Sequence, residues 1–303
     1  MNLKNQQNYM DVKSKHLLLM LIVVVLYTKA TTRPMSLPNC PTKCGSITIP
    51  FPLGTTKGCS LDNTFLINCN KATPFLPHSN QTILNISLNG ELRVSWPVAS
   101  DCYAKRGKLI NQTIHQLNLT NLHFSSTRNK LTAVGCDTVE AVKVFDSNGK
   151  NYSTGCVSLC NKLDDIIING SRTDTGCCQA PIPQGHVKSK VCYLSVDVAA
   201  NHVSVDDFNP CGYAFVVEDG AYRFVFKDIL KLEKKELPVV LNWAIGKKTC
   251  QEAKKDVSSY ACMAENSECY NPTDHRDGYF CNCSLGFRGN HYLLHGFQGY
   301  SNK

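Results

Sequence analysis

The sequence predicts a mostly β, disulfide-rich protein built from cysteine-stapled β modules. Three observations predict this class: seventeen cysteines in 303 residues, short alternating apolar segments broken by turn residues, and an N-terminal export signal. An exported chain passes through an oxidising compartment, where cysteines pair. Hydrophobic residues make up 43% of the chain, which is enough for a sizeable core.

The N-terminal segment carries the features of a secretory signal. Three lysines precede an apolar run at residues 17–27, and a small-x-small pattern ends at Ala30. The alternative is a signal anchor, but eleven apolar residues fall short of the about 20 that span a bilayer. We therefore predict a signal peptide at residues 1–30 and no membrane span beyond it. The mature chain is expected to be secreted or extracellular.

Seven Asn-x-Ser/Thr sequons support export, because such asparagines accept N-linked glycans in secreted proteins. Six of them lie between residues 80 and 169, which indicates a surface that carries glycans. The predicted N-glycosylation sites are Asn80, Asn85, Asn111, Asn118, Asn151, Asn169 and Asn282.

The charge is mildly basic. The formal net charge is +8, of which the signal segment carries +3, so the mature chain carries about +5. This small excess does not indicate a nucleic-acid partner, but it suits an acidic extracellular one. Neither H-E-x-x-H nor paired C-x-x-C units at zinc-finger spacing occur, so we predict no metal site and no cofactor.

The cysteines begin with CPTKCGSITIPFPLGTTKGC, residues 40–59, which holds three cysteines, three prolines and three glycines. Pro50 and Pro52 stiffen this stretch, and the glycines permit tight turns. No nucleophile with a neighbouring base is evident near it. We expect a disulfide-pinned segment that holds shape.

The clearest hairpin signal joins residues 84–88 to residues 92–96 through Asn89-Gly90. A two-residue loop would mix apolar and polar side chains on both faces. An odd-length loop including Glu91, or a bulge, avoids this mixing, so the register favours it. The expected buried face is Leu84, Ile86, Leu88, Leu92, Val94 and Trp96. The expected outward side chains are Asn85, Ser87, Arg93 and Ser95.

Similar strand and turn signals recur at residues 141–153 and 214–226. A short helix is expected within residues 227–235, before the apolar segment 239–245.

The last five cysteines form a separate group from Cys250 to Cys283. Its closing Cys-x-Cys, followed by Gly-Phe and Gly, is typical of the end of an EGF-like module, which depends on disulfides because it is too small for an adequate core. The expected sixth cysteine is missing. The sequence thus predicts a small incomplete EGF-like unit after the β modules.

Taken together, these stretches resemble the extracellular part of plant wall-associated receptor-like kinases. The resemblance runs from Cys40 to about Gly296. In order, it rests on CPTKCGSITIPFPLG, LNISLNGELRVSWPVASDCY, FSSTRNKLTAVGCDT, STGCVSLCN, GCCQAPIP, FNPCGYAFVVE, LNWAIGKKTC and YACMAENSEC.

The resemblance implies a domain order. A galacturonan-binding domain at 31–139 is followed by a cysteine-rich associated region at 140–246 and a partial EGF-like module at 247–303. In the family, a transmembrane helix and a cytoplasmic Ser/Thr kinase come next. The chain is expected in the cell wall, and attached to a membrane if it is a fragment of a longer receptor.

The EGF-like part departs from the family at Phe297, which stands where the last cysteine belongs. The usual pairing then implies the disulfides Cys250–Cys269 and Cys262–Cys281. Cys283 is left unpaired, which accounts for the odd total.

A kinase-like motif occurs in the same region. His275-Arg276-Asp277 with Asn282 matches the H-R-D-x-x-x-x-N catalytic loop. The Gly-rich loop, the lysine strand and the D-F-G motif that phosphoryl transfer requires are missing, and no kinase sequence follows. We therefore predict a non-enzymatic chain with no catalytic residues.

The implied ligand is pectin, whose galacturonan backbone presents carboxylates at regular intervals. Binding it requires several Lys or Arg at matching spacing, because Arg can clamp a carboxylate bidentately. The strongest candidates lie in one loop after Cys102, although loop cations are often merely solvated. The predicted pectin-binding residues are Lys105, Arg106, Lys108, Arg128, Lys130 and Arg93. A glycan at Asn85 would share the face of Arg93, and Lys43 and Lys57 rank last.

Two other classes of function were weighed. A polysaccharide hydrolase needs paired carboxylates, and the acids at Asp137, Asp164-Asp165 and Asp206-Asp207 lack that pattern. The alternative function is a secreted protein-interaction or decoy module that binds a peptide or a receptor ectodomain. Lys247, Lys248 and Thr249 precede Cys250, so the acidic residues of an EGF calcium site are missing there.

Overall fold

The computed structural model describes residues 34–77, 79, 81–118, 122–146, 151–167, 175–182, 189–198, 202–233, 235–273 and 277–299. Met35–Lys303 is one compact unit. The predicted signal peptide and the sequons at Asn80 and Asn169 lie outside the described residues.

The chain is mostly β, as predicted. The strands up to residue 134 are β1 (Lys43–Cys44), β2 (Ile47–Thr48), β3 (Asn68–Asn70), β4 (Thr73–Phe75), β5 (Ile83–Ser87), β6 (Glu91–Pro97), β7 (Ala99–Ala104), β8 (Lys108–Thr113), β9 (His115–Asn118), β10 (Leu122–Phe124) and β11 (Asn129–Val134).

The later strands are β12 (Thr138–Asp146), β13 (Asn151–Thr154), β14 (Val157–Ser158), β15 (Cys177–Pro181), β16 (Ser189–Val198), β17 (Cys211–Glu218), β18 (Glu236–Trp243), β19 (Ser267–Tyr270), β20 (Phe280–Cys283), β21 (Phe287–Gly289) and β22 (Phe297–Gly299). The described α-helices are short: α1 (Leu163–Ile167), α2 (Lys227–Leu230) and α3 (Cys250–Ala253).

Three larger antiparallel sheets organise the described strands. The first sheet has the order β10-β18-β6-β5, and the second has the order β15-β11-β17-β7-β8. The third has the order β13-β12-β16-β9, with β14 also paired to β12. The central strand β17 contacts β18 of the first sheet and both β12 and β16 of the third.

The hairpin of β5 and β6 has an odd-length loop, as predicted. Ser87 pairs with Glu91, so the loop is residues 88–90. The placement of Glu91 in the loop was wrong, because Glu91 is the first residue of β6. A bulge between Ile83 and Asn85 makes Ile83 the buried partner of Val94, so the placement of Leu84 on the core face was wrong.

The strand signal at residues 214–226 is only half realised. β17 ends at Glu218, and residues 221–226 form no strand because their aromatic side chains pack inward instead. The Tyr222 ring meets Phe215 edge to face at 4.9 Å, and its hydroxyl donates to Asp228 at 2.9 Å. The helix expected within 227–235 is limited to α2.

Strands from both sides of the predicted boundary at 139–140 share sheets. β18 lies between β10 and β6, and β17 lies between β11 and β7. The division at 139–140 remains a prediction about sequence modules, but these modules are interleaved in space.

Seven disulfides connect described cysteines. They are Cys40–Cys59, Cys44–Cys69, Cys102–Cys211, Cys136–Cys160, Cys156–Cys178, Cys250–Cys269 and Cys262–Cys281. The first two hold the opening stretch, where Ile49, Phe51 and Leu53 point into the core. The two disulfides implied for the EGF-like part, Cys250–Cys269 and Cys262–Cys281, are both present. Cys283 is not in these seven bridges, and its Sγ lies 3.9 Å from Nδ1 of His291.

The EGF-like part is packed against the first sheet. The fully buried Asn290 donates two hydrogen bonds from Nδ2, to the carbonyl of Phe51 at 2.7 Å and to that of Met35 at 2.9 Å. Trp243 at the end of β18 contacts the rings of Phe280 and Tyr292. One apolar core therefore extends from the opening stretch through the first sheet into the EGF-like part.

Candidate functional site

Three of the predicted cations form one exposed turn, which we call the basic hairpin: Lys105, Arg106 and Lys108. The turn connects β7 to β8, and the Cys102–Cys211 disulfide ties its base to β17. All three side chains are exposed, and no carboxylate of the described residues forms an ion pair with them.

The backbone of the basic hairpin is held by Asp206. Its Oδ2 accepts hydrogen bonds from the amides of Arg106 at 2.5 Å and Gly107 at 3.3 Å. Both turn residues adopt left-handed backbone angles, with φ of 67° and 66°. Because Asp206 binds amides and not side chains, it fixes the shape of the turn and leaves the three cationic groups exposed to solvent.

The predicted cations Arg93 and Arg128 belong to a different group, which we call the arginine–glutamate cluster. Nε of Arg93 lies 2.6 Å from Oε2 of Glu218, and Nη2 of Arg128 lies 3.0 Å from Oε1 of the same carboxylate. Nη1 of Arg128 also reaches Glu91 at 3.3 Å. Both guanidinium groups are thus bound to carboxylates of the protein itself.

The electrostatics of Glu218 follow from this clamp. Burial alone would raise the pKa of its carboxyl, since the side chain is only 16% exposed. The hydrogen bonds and charges of Arg93 and Arg128 outweigh burial and lower the pKa below its usual value. The carboxylate therefore stays ionised and holds the two arginines.

Lys130 is the sixth predicted cation, and it lies near a carboxylate as well. Its Nζ is 3.8 Å from Oδ2 of Asp219, and both side chains are substantially exposed. A pair this long and this solvated contributes little.

The six predicted residues do not come together in one place. Residue 102 pairs with Cys211 at one end of β17, and Asn129 pairs with Glu218 at the other. Seven residues of strand correspond to about 23 Å, so the basic hairpin and the arginine–glutamate cluster lie at opposite ends of β17. Of the two, the basic hairpin is the group whose side chains form no ion pair with a described carboxylate.

The aromatic ring nearest the basic hairpin is not available to a sugar. Tyr103 is 9% exposed, and its ring packs on His202 with centroids 4.3 Å apart. Apolar surface next to the hairpin comes instead from β8, where Leu109 and Ile110 are 45% and 63% exposed.

Two of the acids considered for hydrolysis, Asp206 and Asp137, have structural contacts. Asp206 supports the basic hairpin, and Oδ2 of Asp137 accepts from the His202 amide at 2.8 Å. In the kinase-like motif, His275 and Arg276 lie outside the described residues. Asn282 is in β20, where its Oδ1 accepts from the amide of Cys283.

A cleft of about 400 Å³ lies between the tip of the β5–β6 hairpin and the EGF-like part. Its titratable side chains include Arg288 and the buried His291. Burial lowers the pKa of His291 to about 4, so its imidazole is neutral near neutral pH. With Arg288 as its cation, the cleft does not offer the series of positive charges that an acidic polymer requires.

The described residues contain neither a metal-binding cluster nor a membrane-spanning helix. No group of three or more His, Cys, Asp or Glu side chains is placed to hold a metal ion. None of the described helices combines the length and the apolar character needed to cross a bilayer.

Sequence reasoning missed Glu218 altogether and missed the contact of Asp206 with the basic hairpin. Glu218 is 125 residues from Arg93, and Asp206 is 100 residues from Arg106. No local pattern connects residues so far apart, so only the strand pairing reveals these contacts.

Comparison with known proteins supports the resemblance. Residues 40–95 match the family described as wall-associated receptor kinase galacturonan-binding. Wall-associated receptor kinase 2 of Arabidopsis thaliana is 36% identical over 283 residues, covering 91% of this chain and 37% of the relative. Wall-associated receptor kinase 1 of the same plant is 35% identical, covering 86% of this chain and 34% of the relative. The chain thus spans about a third of the length of these relatives. No solved structure matches it.

Proposed function

Taking the chain as a wall-associated receptor kinase-like ectodomain, we propose that it binds the acidic galacturonan of pectin in the cell wall and catalyses no reaction. The match to a galacturonan-binding family at residues 40–95 and the similarity to wall-associated receptor kinases support the class of ligand.

The basic hairpin is the observation that carries the proposal. It presents three exposed cations on a turn of fixed shape, and no described carboxylate forms an ion pair with their side chains. A preformed turn lowers the ordering cost of binding, because the backbone is already in place when the ligand arrives. Exposed cations attract carboxylates over a Debye length of about 8 Å at physiological salt.

Binding would proceed through direct charge contacts. Arg106 offers a planar fork for one carboxylate, and Lys105 and Lys108 act as point charges for its neighbours along the polymer. The exposed Leu109 and Ile110 of β8 can contact the apolar faces of sugar rings. Arg93 and Arg128 contribute less, because Glu218 and Glu91 already occupy their donors.

The test compares two triple variants on immobilised polygalacturonate over a salt gradient. The variant K105Q/R106Q/K108Q removes the cations of the basic hairpin. The matched control K247Q/K254Q/K255Q removes the same charge from exposed lysines around α3. We expect the wild type and the control to elute at similar salt and the hairpin variant to lose most of its retention. Equal retention of both variants would overturn the assignment to the hairpin.

A second candidate is binding of a protein partner, and the exposed apolar residues favour it. Leu109 and Ile110 are 45% and 63% exposed in β8, and Ile114 just after this strand is 52% exposed. If a protein partner binds at this patch, its affinity for the variant L109S/I110S should be weaker than for the wild type. Added pectin fragments should not change that affinity. If the chain binds pectin instead, added pectin fragments should compete with binding.

A further inference from the structure

The sequons of the three larger sheets all lie on outermost strands. Asn85 is in β5 at one edge of the first sheet, and Asn111 is in β8 at one edge of the second. Asn118 in β9 and Asn151 in β13 lie on opposite sides of the third sheet, where the two-residue β14 beside β13 has no sequon. Among the described strands, none of the seven inner strands of these sheets contains a sequon asparagine.

Outermost strands have a specific physical problem. They present unpaired backbone N–H and C=O groups that can pair with a second chain, and proteins protect such edges. The two edges without a sequon are protected by other means. β10 has only three residues, and β15 ends at Pro181, which has no amide hydrogen to donate.

β8 shows the need for protection most clearly. Five of its six residues are exposed, including the apolar Leu109 and Ile110 beside Asn111. Lys108 and a bulge at Ile110 protect the start of this edge, since Leu109 pairs with Tyr103 and Asn111 pairs with Cys102. The rest of the strand has no described neighbour in the sheet beyond β8.

We propose that N-linked glycans at Asn85, Asn111, Asn118 and Asn151 cap the open sheet edges and prevent copies of this chain from pairing edge to edge. A bulky hydrophilic oligosaccharide on an edge strand blocks the approach of a second strand. The exposed side chains of Asn85 and Asn111 can carry such a group without disturbing the core. The proposal rests on export of the chain and is independent of pectin binding.

Attachment forms a bond between the asparagine amide nitrogen and C1 of the first sugar. The oligosaccharide donor is of the lipid diphosphate class, so the bond between C1 and the diphosphate oxygen breaks. The amide loses one proton, the lipid diphosphate leaves, and nothing is oxidised or reduced.

The experiment expresses the chain in a secretory host that attaches N-glycans. The edge variant N85Q/N111Q/N118Q/N151Q is compared with the control N80Q/N169Q/N282Q, which removes the three other sequons. Light scattering after size exclusion measures the mass over a range of protein concentrations. We expect the wild type and the control to remain monomeric and the edge variant to approach twice the monomer mass or more. Hydrogen exchange should slow in β8 as the edge variant associates.

Three results would overturn the proposal: an edge variant as monomeric as the control, a control that associates equally, or glycopeptide masses showing the four asparagines unoccupied in the secreted wild type. If the edge variant is not secreted, the glycans are trimmed enzymatically from folded wild-type protein. Association after trimming supports the proposal, and an unchanged mass overturns it.

Discussion

Glu218 is the residue that separates available cations from occupied ones. Its carboxylate binds both Arg93 and Arg128, which come from β6 and from the residue before β11. The three parts of the chain are distant in sequence but meet where β17 ends. Two cations that looked like ligand contacts in the sequence therefore stabilise the junction of two sheets.

The substitution E218Q tests this role. Gln cannot hold two guanidinium groups by charge, so we expect the free energy of unfolding at neutral pH to fall by about 1–2 kcal/mol. The control D219N alters a longer and more exposed pair and should change it by less than about 0.5 kcal/mol. Urea unfolding of both variants measures the difference, and equal effects would contradict the role of Glu218.

Comparison of the wild type with E218Q over a range of pH also gives a stability difference whose direction of change can be predicted. The pKa of Glu218 is lowered in the folded state, so its stabilisation is present above its unfolded-state pKa, near 4.3. This stabilisation is lost as the pH falls through the lowered folded value. The stability difference between wild type and E218Q should therefore shrink in acid, and a difference that grows below pH 4 would contradict it.

At the scale of elements, alternation of apolar residues predicted the β5–β6 hairpin and its odd-length loop. It could not place the bulge at the start of β5, because a bulge costs little and leaves no mark in the pattern. It also predicted strand at residues 221–226, where tertiary contacts of Tyr222 prevail over local β propensity.

The loop of this hairpin also fixes the EGF-like part. Gly90 has a φ of +84°, and a side-chain carbon added there would overlap the ring of Phe280. That ring is 4% exposed and is held between Trp243 and Tyr270, so it cannot move aside easily. The close approach requires glycine at this position.

The substitution G90A tests this packing, and the chain provides a matched control. Gly58 has nearly the same φ, +85°, with nothing within 4 Å of the added carbon. Both variants have the cost of a left-handed alanine, about 1 kcal/mol, but only G90A must displace Phe280. We expect G90A to cost about 1–3 kcal/mol more than G58A in thermal or urea unfolding. Equal losses would show that the EGF-like part does not depend on this contact.

At the scale of the whole molecule, the cysteine count and the turn signals predicted the fold class well. The arrangement of the sheets could not be predicted, because β18 inserts between β10 and β6 from more than a hundred residues away. The same long-range pairing sends the six predicted cations to opposite ends of β17. Lys105, Arg106 and Lys108 do share one exposed turn, because they are neighbours in sequence, and their role in binding stays a prediction.

The turn that carries Lys105, Arg106 and Lys108 is held at an exposed position of the molecule. The disulfide to β17 and the carboxylate of Asp206 both act on the backbone of that turn. The proposed ligand of its cations is a polymer whose negative charges are carboxylates.

The most direct measurement of this claim changes the ligand and keeps the protein intact. Calorimetric titration of the wild-type chain compares oligogalacturonides with the same oligomers after methyl esterification, which removes the carboxylate charges and keeps the sugar chain. We predict binding of the acidic oligomers that weakens with added salt, and at least about a tenfold loss of affinity on esterification. Equal affinity for the charged and the esterified oligomers would contradict charge recognition by the basic hairpin.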